Sequence, residues 1–291
     1  ACLHSVAQEN LMFTYFKGSG KSGVFACTSE DGLKWKKLNG GKAIIVPMQG
    51  TIMRDPCLYL DKYGTYHLVW TGGSKSTVIG YCSSKDLKTW TDQKFMQLFP
   101  DTIGVRNCWA PEIIFNEKEN QFMIYWSTTI PGRFPETDNT GDNGFNHRIY
   151  YTLTADFNTF TKAELLYEPG YNVIDATINP VDTGFVMFIK NETRRPAEKN
   201  IRWAFSEAMT GPYSSASAPI TGNYWAEGPT AIKIDDAWHL YFDKYTLSSM
   251  GLKVSKNLVD WRSRSTKLRM PLGIRHGTVL RVPPECIRSL E

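Results

Sequence analysis

Residues 54–90 decide the fold: Arg54-Asp55-Pro56-Cys57-Leu58-Tyr59-Leu60, the turn Asp61-Lys62-Tyr63-Gly64, then Tyr66-His67-Leu68-Val69-Trp70, Gly72-Gly73, Val78-Ile79-Gly80-Tyr81-Cys82 and Ser84-Lys85-Asp86 leading to Trp90. Short apolar runs rich in aromatic and β-branched residues, broken every few positions by Gly and Asp, read as a meander of four antiparallel strands. The closing phrase recurs. Ser29-Glu30-Asp31 leads to Trp35, Thr154-Ala155-Asp156 to Phe160, Ser206-Glu207-Ala208 to Tyr213 and Ser255-Lys256-Asn257 to Trp261. A period of this order is that of a four-stranded propeller blade and exceeds that of a helical hairpin repeat.

Five copies predict an all-β, five-bladed β-propeller, each blade a four-stranded antiparallel sheet, with residues 1–291 forming a single domain. Sheets beginning near residues 55, 112, 175 and 227 give four complete blades. The fifth must be assembled from both chain ends, with residues 11–16, 23–29 and 35–38 as outer strands and 277–282 as the inner one. Such closure removes the free sheet edge.

Composition restricts the function. The formal net charge of +4 comes from Lys and Arg scattered without a basic run, which argues against a nucleic-acid footprint. No run approaches the roughly 18–20 apolar residues of a membrane helix, so no membrane span is expected. The chain starts at Ala1 rather than Met, which favours export to a periplasmic or extracellular location. Cys27 and Cys82 occupy the same place in two copies of the repeat and are expected to be small buried thiols, because equivalent positions in different blades lie too far apart for a disulfide. A monomer is expected. The aromatic content, 13% with nine Trp, suits both strand packing and stacking on sugar rings.

A propeller brings the starts of its inner strands to one central funnel. Those starts read Arg54-Asp55-Pro56, Trp109-Ala110-Pro111-Glu112, Ile174-Asp175-Ala176-Thr177, Ala226-Glu227-Gly228-Pro229 and Arg275-His276-Gly277-Thr278. Asp-Pro and Glu-Gly-Pro are ordinary turns when met singly. Four carboxylates converging on one funnel, however, repel one another and gain nothing structurally without a partner.

With these motifs the sequence resembles glycoside hydrolase family 43, five-bladed propeller enzymes that act on arabinose- and xylose-containing glycans. The resemblance extends over nearly the whole chain. It implies that Asp55 is the general base, Asp175 an orienting and pKa-tuning residue and Glu227 the general acid, all three in the same order and phase of the repeat, with the charge of Asp175 raising the pKa of Glu227. Two departures stand out: Ala176 follows Asp175 where the family has Pro, and Glu112 follows Trp-Ala-Pro where Asp or His is common. Glu112 is therefore expected to bind a sugar hydroxyl or to replace Asp175 as modulator.

Trp109 is the first candidate for the aromatic wall of a sugar site and Trp225 the second, with core packing the alternative for both. By resemblance His276 lies on the axis and helps to hold a structural Ca²⁺ or water near the base. No cofactor is required, and His-x-x-x-His and Cys-x-x-Cys spacings are absent from the sequence. The irregular stretch 131–147 contains Asp138-Asn139-Thr140-Gly141-Asp142-Asn143-Gly144. It reads as a surface loop able to overhang the funnel, with oxygen ligands that would suit Ca²⁺ but without EF-hand spacing.

The expected function is an inverting, exo-acting glycosidase that releases terminal pentose, with an α-L-arabinofuranosidase first and a β-xylosidase or other furanosidase next. A non-catalytic glycan-binding propeller is the contrasting class.

Overall fold

The computed structural model describes residues 10–291. β1 (Asn10–Phe16), β2 (Val24–Ser29) and β3 (Lys36–Lys37) come first. The next sheet is β4 (Arg54–Leu60), β5 (Tyr66–Thr71), β6 (Ile79–Ser84) and β7 (Lys94–Met96), in that spatial order. A second meander holds β8 (Trp109–Asn116), β9 (Gln121–Thr128), β10 (Arg148–Thr154) and β11 (Glu164–Tyr167). A third holds β12 (Val173–Val181), β13 (Gly184–Asn191) and β14 (Asn200–Ser206), and a fourth β15 (Glu227–Ile234), β16 (Ala237–Lys244), β17 (Ser249–Ser255) and β18 (Arg262–Ser263). Finally β19 (Gly277–Val282) pairs antiparallel with β1, from Gly277 opposite Tyr15 to Val282 opposite Asn10.

The inner strands close a ring, with β4 packed on β8, β8 on β12, β12 on β15, β15 on β19 and β19 on β4. The molecule is the five-bladed propeller predicted from the repeat, sealed by strands from both ends of the chain. Its apolar core is divided into five clusters, each between neighbouring blades; one joins Val69 and Tyr81 to Ile124 and Trp126. Cys27 and Cys82 are buried free thiols inside these layers. Among the described residues no helix is long and apolar enough to cross a membrane.

The repeated phrase is the turn from the third to the fourth strand of a blade. Ser84 Oγ accepts the N–H groups of Asp86 and Leu87, while Asp86 Oδ1 accepts those of Lys88 and Thr89. The same caps recur around Asp31, Asp156 and Asn257, because a short polar side chain satisfies the turn's own backbone donors. The copy at Ser206 has Ala208 at the Asp position and lacks the second half of this cap. There the fourth strand position is filled by an irregular segment that bonds β14 through the N–H groups of Ser214, Ser217 and Ile220. A short helix unforeseen from periodicity, α1 (Pro284–Leu290), buries Cys286, Ile287 and Leu290.

Candidate active site

Four inner strands open with the same β-bulge, placed between Arg54 and Cys57, Trp109 and Glu112, Ile174 and Thr177, and Glu227 and Thr230. Its second residue is left-handed in each: Asp55 at φ 48°, Ala110 at 45°, Asp175 at 54° and Gly228 at 56°. A bulge re-aims side chains at a sheet end, and here it turns Asp55 and Asp175 into the funnel. Glu227 precedes its bulge residue. It therefore sits one position earlier than the two aspartates and is equivalent to Arg54, Trp109 and Ile174, which corrects the expectation of a common phase. Its longer side chain still reaches the same space.

A pocket of about 190 Å³ at the funnel mouth is lined by Asp55, Asp175, Glu227, His276, Trp109, Arg54, Lys190 and Glu192, with Thr71, Ser74 and Ile174. Three of the predicted carboxylates thus meet in one cavity, together with the predicted aromatic wall. His276 Nδ1 lies 3.6 Å from Asp55 Oδ1 and 3.9 Å from Asp175 Oδ2. Burial pushes the imidazole pKa down, but Asp175, Asp55, Glu227 and Glu112 outweigh it and the net shift is upward. His276 thus faces two carboxylates, whose charges favour its protonated form. Among the described residues no group of three or more His, Cys, Asp or Glu is placed to hold a metal ion.

Trp109 is half-buried, with Nε1 donating to the Ser74 carbonyl at 3.1 Å and its ring 4.8 Å from Phe145 and 4.7 Å from His147. Phe145 belongs to the long loop, so residues 131–147 buttress this wall. Asp142 in that loop pairs with Lys199 at 2.7 Å and Arg194 at 3.3 Å, which commits to cations the acid that had suggested a Ca²⁺ ligand.

Two sequence candidates lie elsewhere. Trp225 is half-buried against Arg194 at 4.8 Å and Tyr245 at 6.1 Å, outside the pocket lining. Glu112 lies one layer deeper, level with Cys57, Thr177, Thr230 and Thr278, and these five line a separate cavity of about 740 Å³. Glu112 is 6% exposed and accepts from Thr177 Oγ1 at 3.2 Å, Thr278 Oγ1 at 3.4 Å and Tyr125 OH at 3.5 Å. Burial holds its pKa up at about 7, despite His276 nearby. The structure does not bring it to the pocket of Asp55, Asp175 and Glu227.

The electrostatics of Glu227 also differ from expectation. Its Oε2 is 3.1 Å from Lys190 Nζ and its Oε1 2.9 Å from Arg275, and Arg275 also binds the fully buried Asp243 at 2.5 Å. Burial pushes the Glu227 pKa up, but Lys190, Arg275 and His276 overcome it and hold the carboxyl below its ordinary value. Asp175 is the acid that is raised, to about 6, by burial and the neighbouring charges of Glu227 and Asp55. The sequence-based direction is reversed because the cations that reach Glu227 come from distant parts of the chain, Lys190 on β13 and Arg275 just before β19. Lys190 and Asp243 were missed, although the sequence carries a signal for them. They stand one residue before the ends of second strands, as Phe188-Ile189-Lys190 and Tyr241-Phe242-Asp243, where a charge interrupts an otherwise apolar run.

Comparison with known proteins agrees with this fold. Residues 7–285 match the family-43-related model described as "Probable glycosyl hydrolase domain". The chain belongs to this glycosyl hydrolase family. A curated α-L-arabinofuranosidase of Bifidobacterium longum subsp. longum is 26% identical over 303 residues, covering 86% of this chain and 28% of its own length. The chain therefore spans little more than a quarter of that curated relative. The crystal structure of an α-L-arabinofuranosidase from Lactobacillus brevis superposes with a TM-score of 0.57 at 18% identity, covering 73% of this chain and 72% of that one. An exo-β-1,3-galactanase from Phanerochaete chrysosporium gives 0.55 at 12% identity over 81% of this chain and 53% of that one. At such identities the family member and these structures share the fold, while the sugar is left open.

Proposed function

We propose that this family member is a glycoside hydrolase that releases terminal pentose units, an α-L-arabinofuranosidase first, by inverting acid/base catalysis. The observation that carries the proposal is the convergence of Asp55, Asp175 and Glu227, from three separate inner strands, on one small pocket walled by Trp109. A volume of about 190 Å³ is the space of about six waters, the scale of one sugar unit rather than of a chain. That supports exo action.

In the proposed reaction Asp55 takes a proton from a water molecule as the water oxygen bonds to the anomeric carbon. The glycosidic C–O bond breaks and its oxygen takes the proton of Glu227. Asp175 and His276 orient the sugar, and His276 balances the charge on Asp55. Glu227 is held ionised by Lys190 and Arg275 in the free protein, so it becomes an acid only when substrate weakens one of those pairs and a proton is supplied from solvent.

The related galactanase makes the sugar the open question, with a β-xyloside or another furanoside as the alternatives. Incubation with aryl arabinofuranosides, xylosides and galactofuranosides and with arabinan, with the product anomer followed by NMR, tests the proposal. Release of arabinose with inverted configuration is expected. A retained anomer would contradict the mechanism, and sugar binding without turnover would favour a glycan-binding propeller.

A further inference from the structure

In the four blades with this bulge the second strand carries one residue opposite the position that precedes it: Thr71 opposite Arg54, Ser127 opposite Trp109, Lys190 opposite Ile174 and Asp243 opposite Glu227. In the first two blades this residue is a hydroxyl that fastens the next blade. Thr71 Oγ1 accepts the N–H of Ala110 at 2.8 Å, and Ser127 Oγ that of Asp175 at 3.1 Å. An uncharged hydroxyl therefore suffices for that structural task. In the next two blades the same position holds a buried charge, and the two charges flank Glu227: Lys190 binds it directly, and Asp243 binds its other partner, Arg275.

Lys190 is also the start of a line of alternating charges. Its Nζ is 2.6 Å from Glu192 Oε2; Glu192 Oε1 is 2.6 Å from Lys199 Nζ; Lys199 is 2.7 Å from Asp142. Both lysines are 1% exposed. Burying an ammonium costs several kcal/mol unless it is paired, so each of these ions depends on the next. The line ends in the long loop, which Arg106 holds through the carbonyls of Asn143 and Gly144 and whose Phe145 packs on Trp109.

We propose that Lys190 is a positioning residue that sets when Glu227 holds its proton, and that the loop acid Asp142 biases Lys190 through Lys199 and Glu192. The proposal rests on the reading of Glu227 as the general acid. The other cations facing Glu227 are shared with acids of the funnel itself: Arg275, which also binds Glu227, with Asp243, and His276 with Asp55 and Asp175. Tyr245, whose ring lies 4.8 Å from Lys190 Nζ, is neutral in the working range. Lys190 alone has a second partner that leads to the loop.

The alternation fixes the signs. Lys190→Met removes a cation from Glu227, so its carboxyl protonates more readily and its titration moves up by about 1–3 pH units. Asp142→Asn leaves the charge of Lys199 to Glu192 alone; Glu192 then releases Lys190 toward Glu227, whose titration moves down. Damage to packing would lower activity without moving one titration in opposite directions.

The test is ¹³C NMR titration of the Glu227 carboxyl, assigned by difference with Glu227→Gln, in wild type, Lys190→Met, Lys190→Arg and Asp142→Asn. It is run beside the alkaline limb of kcat/KM on an aryl arabinofuranoside. Opposite shifts for Lys190→Met and Asp142→Asn, with Lys190→Arg close to wild type, are expected. No shift, or shifts in one direction, would overturn the proposal whatever the activity. Full turnover by Glu227→Gln would instead overturn the acid assignment and leave the electrostatic circuit standing. Should Lys190→Met fail to fold, the half-exposed Asp142 site still gives the decisive downward shift or its absence.

Discussion

The backbone N–H of Gly228 donates to Asp175 Oδ2 at 2.9 Å, so the strand that presents Glu227 is held by a carboxylate from the preceding blade. Asp175 thereby does two things at once. It fixes where Glu227 starts, and its second contact, to His276, links that strand to the fifth blade and to Asp55.

Gly228 is required twice at this junction. Its φ is +56°, and a Cβ there would stand 2.4 Å from His276 Cγ. Gly228→Ala is expected to lose about 1–3 kcal/mol of stability in urea unfolding and to lower turnover more than Gly273→Ala, a surface glycine at a similar φ with open space around it.

Glu112 gives a pH prediction with a definite sign. Its carboxyl is held at about 7 against an ordinary 4.5, so the folded protein keeps a proton that the unfolded chain gives up. Stability therefore falls as pH rises from 4.5 to 7. Glu112→Gln is expected to remove that fall, with a gain of up to about 3 kcal/mol at pH 8 in denaturant titrations. KM should hardly change, since Glu112 faces the deeper cavity; a large rise in KM would return it to the sugar site.

Trp109→Ala removes the wall on which a sugar ring would stack. Loss of such a contact is worth about 0.5–1.5 kcal/mol, or up to about tenfold in affinity. Trp225→Ala, outside the lining, is expected to leave KM within about twofold on that scale. Steady-state kinetics on the same aryl glycoside compares the two.

How much of this was legible in the sequence depends on the range of the interactions. The Ser-Lys-Asp turns cap themselves within a few residues, so the local phrase at Ser84 was enough to count blades and to place Asp55, Asp175 and Glu227 near one axis. The bulge that advances Glu227 by one position was foreshadowed by Gly228 but needed the strand register to be seen. That Asp175 and not Glu227 is the acid shifted upward was not readable, because Lys190 lies 37 residues and Arg275 48 residues from Glu227 in the chain. Glu112 misled because its spacing to Pro111 imitates the other motifs, while the pleat sends a residue beyond the bulge down the channel.

The central claim is that Glu227 protonates the leaving oxygen, and leaving-group dependence tests it most directly. The ratio of kcat/KM for two aryl arabinofuranosides, one with an activated phenol and one with a poor leaving group, should be measured in wild type and Glu227→Ala. A general acid is worth about 10²–10⁴-fold, so the variant is expected to lose that factor on the poor leaving group and little on the activated one. Equal losses on both, or none on either, would contradict the account.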